Sequence, residues 1–430
     1  MIATLQTADR AALLIWTKVL VFVFVVFATV SPFNAPLAAG GGFFLQAFWI
    51  ARDHGDLRQR LRDSVVTRAW LTFAVFFIYL ALRIYQPPLT IASLEAIPGV
   101  SIMGIFALMI FATCALFPYQ NDDVQKAIAH AFLAAFVAAA ALHAFEIASD
   151  LALRRQLWHW VPATRPRPGK IELDGDQVKV LVVFLANPSS AILAALFWPA
   201  LLLTRCIKLT RVKRVMIGLG AVLCGYAIFR SDQATSKMAL ACGGATWALV
   251  SLLPRTVRPL LSVIWIASNV LVLPAALYAY HNDFYKLPRN FSAQHRIVLW
   301  GVTAEKTLEH PWFGIGTGKT ADFDASTSPD VANIPGTRIP IATNRHAHNV
   351  FLQLWYEDGA VGVLLFILAG LPVIGWISTA PQRSQALLAA AFSAAVMSAS
   401  FSYSLIAAWF LATFTITALF CRFAVSLAPD

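Results

Sequence analysis

The chain has 430 residues, of which 59% are hydrophobic and only 13% charged, and its mean hydropathy is +0.68. These values exclude an ordinary soluble domain and predict an all-α, polytopic integral membrane protein. The formal net charge of +11 does not argue for nucleic acid, and no nucleic-acid partner is expected, because basic residues in such a chain mark the cytoplasmic side.

Apolar stretches of spanning length fall near 12–31, 34–51, 69–86, 98–117, 127–148, 178–203, 214–230, 237–253, 260–280, 360–378, 386–403 and 404–421, which predicts about twelve transmembrane helices. The first follows Arg10 and contains Lys18, so it has the flanks of a signal peptide. It is long for one, and a second run follows at once, which favours an uncleaved span. A cytoplasmic N-terminus puts Arg52, Arg58, Arg60, Arg62 and Arg68 inside, together with Arg205, Lys208, Arg211, Lys213, Arg214, Arg255, Arg258 and Arg383. The whole of 1–430 then reads as a single membrane domain with two unusual loops on the outer side. The loop 149–177 is basic, and its Trp158 and Trp160 suggest short segments lying in the interface. The loop 281–347 is large, polar and ordered, and is expected to carry part of the active site. Five cysteines lie in or beside apolar runs without metal-type spacing, so neither a disulfide framework nor a cysteine metal site is expected. Lys18 and Glu146 fall inside spans and need partners or water.

The stretch from His348 to Gly362 leads from a polar loop into a membrane-length apolar run. At 100° per residue, His348, Leu352, Trp355, Gly359 and Gly362 share one helical face, with the glycines placed for close helix packing. That arrangement puts a titratable imidazole at the water–lipid boundary. Upstream, Arg296, Trp300, Thr303, Ala304 and Thr307 recur at helical spacing, which predicts a helix over 292–309. The segment His310-Pro311-Trp312-Phe313-Gly314-Ile315-Gly316-Thr317-Gly318 could cradle phosphates, but it lacks a strand–loop–helix context and reads better as a structural turn. His346-Ala347-His348 and Asp322-Phe323-Asp324 are the candidates for a metal site. Neither belongs to a convergent ligand set, so no metal and no cofactor is expected. Lys237 follows Arg230 and a polar run at the outer end of a span, where it either snorkels or binds an anion.

Taken together, these residues resemble the O-antigen ligase family, whose C-terminal region is shared with O-antigen polymerases. The hallmark is His, then Asn, Ser or Gln, nine residues, and Gly-x-x-Gly. His348-Asn349, Val350 to Asp358, and Gly359-Ala360-Val361-Gly362 match it completely. Arg296 resembles the family's essential loop arginine, and the His310-Pro311-x-x-Gly314-x-Gly316 turn is also typical. Ser236-Lys237 stands where the family usually has a hydroxyl residue and a second arginine. Either Lys237 or Arg230 is therefore left to take that role, and lysine lacks the bidentate fork.

The resemblance implies a multi-pass enzyme of the bacterial inner membrane whose active site faces the periplasm. Its donor would be an undecaprenyl-pyrophosphate-linked glycan, its acceptor lipid A–core oligosaccharide, and its surroundings membrane lipid. Arg296 with Lys237 or Arg230 would hold the pyrophosphate, and His348 would act as general base in a metal-independent, inverting displacement. An O-antigen polymerase, which uses the same donor with a lipid-linked acceptor, is the alternative. The complete motif, and a chain that stops soon after its last span, favour the ligase. A transporter of lipid-linked sugars is disfavoured because the polar residues cluster in one loop rather than at mid-membrane.

Overall fold

A computed structural model describes residues 2–32, 35–54, 68–85, 121–160, 171–174, 177–181, 186–288, 291–322, 346–401, 403–404 and 407–427, with isolated positions 97, 101 and 105. The helices are α1 (Ile2–Val30), α2 (Ala35–His54), α3 (Arg68–Ile84), α4 (Asp122–Ala148), α5 (Ala152–Trp160), α6 (Asn187–Cys206), α7 (Arg211–Arg230), α8 (Ala234–Leu252), α9 (Val257–Val270), α10 (Val272–His281), α11 (Phe291–Thr307), α12 (Val350–Thr379), α13 (Gln382–Phe401) and α14 (Ala408–Ser426). The protein is an all-α, multi-pass membrane bundle. Among the described residues, seven helices are long and apolar enough to cross a membrane: the Asp9–Val30 part of α1, then α4, α6, α7, α12, α13 and α14. An eighth candidate is α8 with the Pro254–Val270 segment, bent by 120° at Leu253.

The departures from expectation have local causes. The run 178–203 is not one helix. A hairpin of β1 (Ile171–Asp174) and β2 (Gln177–Leu181) comes first, and the helix starts at Asn187 with Pro188 in its first turn, where proline's missing N–H is harmless. The run 260–280 is divided between α9 and α10, with Leu271 between them. The span near 98–117 lies outside the described residues.

The bundle is held by small-residue contacts and aromatic packing, as expected where lipid supplies no hydrophobic drive between helices. Helix α4 packs among α1, α6 and α7, and α8 lies along α13. Phe132 of α4 stacks on Phe420 of α14, with ring centroids 3.7 Å apart. Glu146, the carboxylate that needed a partner, is buried and pairs with Arg154 at 3.2 Å. Arg154 also donates to Ser189 at 2.7 Å, so this ion pair ties the amphipathic α5 to α4 and α6. At the other side of the bundle, α9 and α11 both pack against α12, which brings the loop helix onto the helix that follows His348.

Candidate active site

The His348–Gly362 stretch is not one helix, and the shared face predicted for His348, Leu352, Trp355, Gly359 and Gly362 does not form. Asn349 is the N-cap of α12, its Oδ1 accepting from the N–H groups of Phe351 and Leu352 at 3.0 Å each. Asparagine competes well for that position, so the helix begins one residue after it. His348 therefore lies outside the helix, in the left-handed region with φ +53°. The helix also breaks at Gly359, where φ is +66° and ψ −168°.

That break is filled by the turn 310–318. The N–H groups of Ile315 and Gly316 donate to the carbonyls of Tyr356 and Glu357, at 3.0 and 2.7 Å. In return, the N–H groups of Ala360 and Val361 donate to the carbonyls of Pro311 and Trp312, at 2.9 and 3.1 Å. Two of the turn's amides are thus spent on α12 rather than offered to a phosphate, so the glycine-rich segment serves as a structural turn. A Cβ on Gly314 would fall 2.4 Å from the Glu357 carbonyl carbon, and one on Gly359 would fall 2.4 Å from that of Trp312. Gly359 therefore admits a loop backbone and not a helix. Gly362 faces Tyr79 of α3 and the Asp358 side chain.

Carboxylates finish the anchoring. The buried Glu357 accepts from the backbone N–H and hydroxyl of Thr320, at 3.2 and 2.5 Å, and from Gln353 at 2.9 Å. Thr317 donates to Asp358 at 2.5 Å, and the Tyr79 hydroxyl donates to the Asp358 carbonyl at 2.7 Å. Arg83 donates to the Gly314 carbonyl at 3.0 Å and also to that of Phe313.

Above this anchor, α11 positions both Arg296 and Trp300, one helical turn apart. The helix covers 291–307, close to the predicted 292–309. The Trp300 indole donates to the Ala347 carbonyl at 2.9 Å, which draws the His346–His348 segment onto α11. Arg296 is partly buried and has no carboxylate partner among the described residues. Burial lowers its pKa, while the neighbouring Tyr403 phenol acts in the opposite sense. Burial and, second, the Arg296 cation push His346 down to about 4 and also depress His295. Burial raises Tyr403, with Arg296 opposing. Among the described residues, Arg296 thus stands without a carboxylate partner, in the company of neutral imidazoles and a neutral phenol, a set suited to an anionic ligand.

His346 and His348 have ring centroids 4.1 Å apart at 62°, and the His348 N–H donates to His346 Nδ1 at 3.2 Å. Helical spacing would put His346 about 200° from His348 if one helix included both. The cap at Asn349 removes that premise and brings the two rings together. Lys237 is partly buried in the first turn of α8, and Arg230 is exposed at the last residue of α7. Neither is in hydrogen-bond contact with Arg296. Gln233, at the N-cap position of α8, donates to the hydroxyl of Tyr403, the phenol next to Arg296, at 3.5 Å. Among the described residues, no three His, Cys, Asp or Glu side chains converge on a metal-sized site; Asp324 and the Asp322 side chain lie outside them. Sequence reasoning missed Tyr403, Gln233 and Glu357. The polar break Ser402-Tyr403-Ser404 between two apolar runs was the available signal for Tyr403.

A match to a family model falls on the same region. Residues 219–367, about a third of the chain, match the family model described as O-antigen ligase. A protein of Rickettsia conorii named "Putative polysaccharide ligase" is 24% identical over 190 residues, covering 43% of this chain and 44% of the relative. A Rickettsia felis protein of the same description is 25% identical over the same shares. The chain thus matches less than half the length of each of these relatives. Residues 219–367, which include Arg296, His348 and the docked turn, are thus similar to the O-antigen ligase family.

Proposed function

We propose that the protein transfers a glycan from undecaprenyl pyrophosphate to a sugar hydroxyl of lipid A–core oligosaccharide, at the periplasmic face of the bacterial inner membrane. The observation that carries this reading is the partly buried Arg296, unpaired with any described carboxylate, beside the His346–His348 segment. A buried guanidinium without a counter-charge is costly unless an anion joins it, and a pyrophosphate is an anion it can grip bidentately. The ligase descriptions of the family and of the relatives support a saccharide donor.

The proposed chemistry follows from what each partner lacks. The pyrophosphate is already a competent leaving group, so it needs cations to hold its developing charge more than it needs an acid. Arg296 supplies one, and Lys237 or Arg230 at the α7–α8 junction supplies the second. The acceptor hydroxyl is a weak nucleophile near neutral pH, and a neutral His348 takes its proton as the new glycosidic bond forms. Displacement on the face opposite the leaving group inverts the anomeric centre. No metal is required, because the charge that a divalent ion would neutralise is met by the two cationic side chains.

The deciding experiment incubates the full chain, reconstituted in lipid, with an undecaprenyl-pyrophosphate glycan and two acceptors in separate reactions. Sugar gained by lipid A–core supports the ligase reading. Sugar gained only by a second lipid-linked glycan would make the protein a polymerase, and transfer to neither acceptor would refute both.

A further inference from the structure

We propose that His346 is a positioning residue, holding the Ala347–His348 peptide in the orientation from which His348 works. The inference rests on the base role proposed above for His348.

The peptide unit between Ala347 and His348 has two polar ends, and both are occupied. Its carbonyl accepts from the Trp300 indole at 2.9 Å. Its N–H donates to His346 Nδ1 at 3.2 Å. Ala347 is fully buried, so the unit cannot reorient without breaking both bonds inside the protein. The clamp matters because His348 has φ +53°, a conformation that is strained for a residue other than glycine. Such strain persists only where surrounding groups over-determine it. Here Trp300 and His346 hold the preceding peptide, and the Asn349 cap fixes the chain immediately after.

The same bond assigns the proton of His346. Because Nδ1 accepts the His348 N–H, a neutral His346 carries its hydrogen on Nε2. Nδ1 is therefore already engaged and free neither to act as a base nor to bind a metal. The two imidazoles meet edge to face at 4.1 Å, so His346 also restricts the His348 ring. Trp300 lies one turn beyond Arg296 on α11, so a single helix sets the spacing between the phosphate-binding cation and the base.

Three substitutions in the full reconstituted protein test this. Asparagine places its Oδ1 where Nδ1 stood, and glutamine places its acceptor nearer the Nε2 position. His346→Ala should lower turnover at saturating substrates on the order of 10²-fold, the scale of an ångström-level misplacement, with donor affinity unchanged. His346→Asn should recover most of that loss, and His346→Gln should not. Wild-type turnover in His346→Ala, or an asparagine variant no better than alanine, would overturn the proposal. Loss of donor affinity at unchanged turnover would overturn it too, by making His346 a phosphate ligand. Nitrogen NMR of labelled histidines in the wild-type chain supplies a readout independent of transfer: Nδ1 of His346 should be unprotonated, and a protonated Nδ1 would refute the clamp. A fully active His348→Ala variant would instead defeat the base role, whatever the His346 series reads.

Discussion

Gly359 and Trp312 approach so closely that a Cβ on the glycine would lie 2.4 Å from the tryptophan's carbonyl carbon and 2.5 Å from its oxygen. The contact is backbone to backbone, so no side-chain rotation relieves it. Gly359→Ala also meets φ +66° with ψ −168°, a conformation essentially confined to glycine and worth about 1–3 kcal/mol by itself. We expect this variant to lose the docked turn, to melt several degrees lower and to be inactive. Gly375→Ala on the same helix meets open space, and should be neutral or stabilising by about 1 kcal/mol. Thermal unfolding of the two variants side by side checks this, and equal melting temperatures would show that the turn is not held by the break.

Glu357 holds the same turn from the side-chain direction. Its removal leaves the Thr320 N–H, the Thr320 hydroxyl and the Gln353 amide without their acceptor, inside the protein. Each buried group left unsatisfied costs about 1–3 kcal/mol. Glu357→Ala should therefore destabilise severely, whereas Glu357→Gln keeps one oxygen acceptor and should fold with partial activity. Thermal unfolding distinguishes them: a large drop in melting temperature is expected in the alanine variant and a small one in the glutamine variant.

Much of the helix order was legible because apolar run length is a direct readout of membrane thickness. What escaped was where the runs break. Periodicity treats Asn349 and Gly359 as two more residues on a helix, although one is a cap and the other carries a positive φ. The spacing of His348 and Gly359 was therefore read as a shared face, when it reflects a loop residue and a docking notch. Arg296 and the helix bearing it were legible from local pattern. The contacts of Trp300 with Ala347 and of Gln233 with Tyr403 were not, since they join segments 47 and 170 residues apart.

The two proposed cation positions should respond differently to conservative change. Arg296 sits partly buried where planar bidentate contact with a pyrophosphate is possible, so Arg296→Lys should be damaging despite the retained charge. In its proposed role Lys237 acts without a fork, so Lys237→Arg should keep substantial transfer while Lys237→Ala loses most of it. Donor affinity measured on all three variants tests the contrast. An alanine variant at position 237 with unchanged affinity would move the second role to Arg230.

His346 also makes a stability prediction. Unfolded, it takes up a proton near its ordinary pKa of 6.5; folded, burial and the facing Arg296 hold it to about 4, with the His348 ring packed against it. Acidification therefore favours the unfolded chain. The stability is intact above pH 6.5, falls between 6.5 and 4, and levels off below, with on the order of 3 kcal/mol at stake. The His346→Asn variant has no proton to gain and should melt with a shallower acid dependence. Identical pH–melting curves for the two proteins would contradict this.

The last prediction concerns His348 itself. If it is the general base, His348→Ala should abolish transfer while leaving a folded protein that still binds the lipid-linked donor. The reason is a division of labour: Arg296 and the second cation hold the pyrophosphate, whereas the histidine acts on the acceptor's proton. General base catalysis contributes about 10²–10⁴-fold, so roughly 3–5 kcal/mol of barrier depends on this ring. The alanine variant should keep its fold, because the Asn349 cap and the Trp300–Ala347 bond do not use the His348 side chain, and the His346 bond uses only its backbone N–H. A base must also be neutral to act, so wild-type transfer should decline on acidification. The competing account makes His348 an imidazolium that hydrogen-bonds the donor phosphates. It predicts weaker donor binding in His348→Ala, and wild-type binding that strengthens as pH falls. Donor affinity and single-turnover rate, each measured across pH in both proteins, separate the two: unchanged affinity with a lost rate supports the base, and a parallel loss of both rejects it.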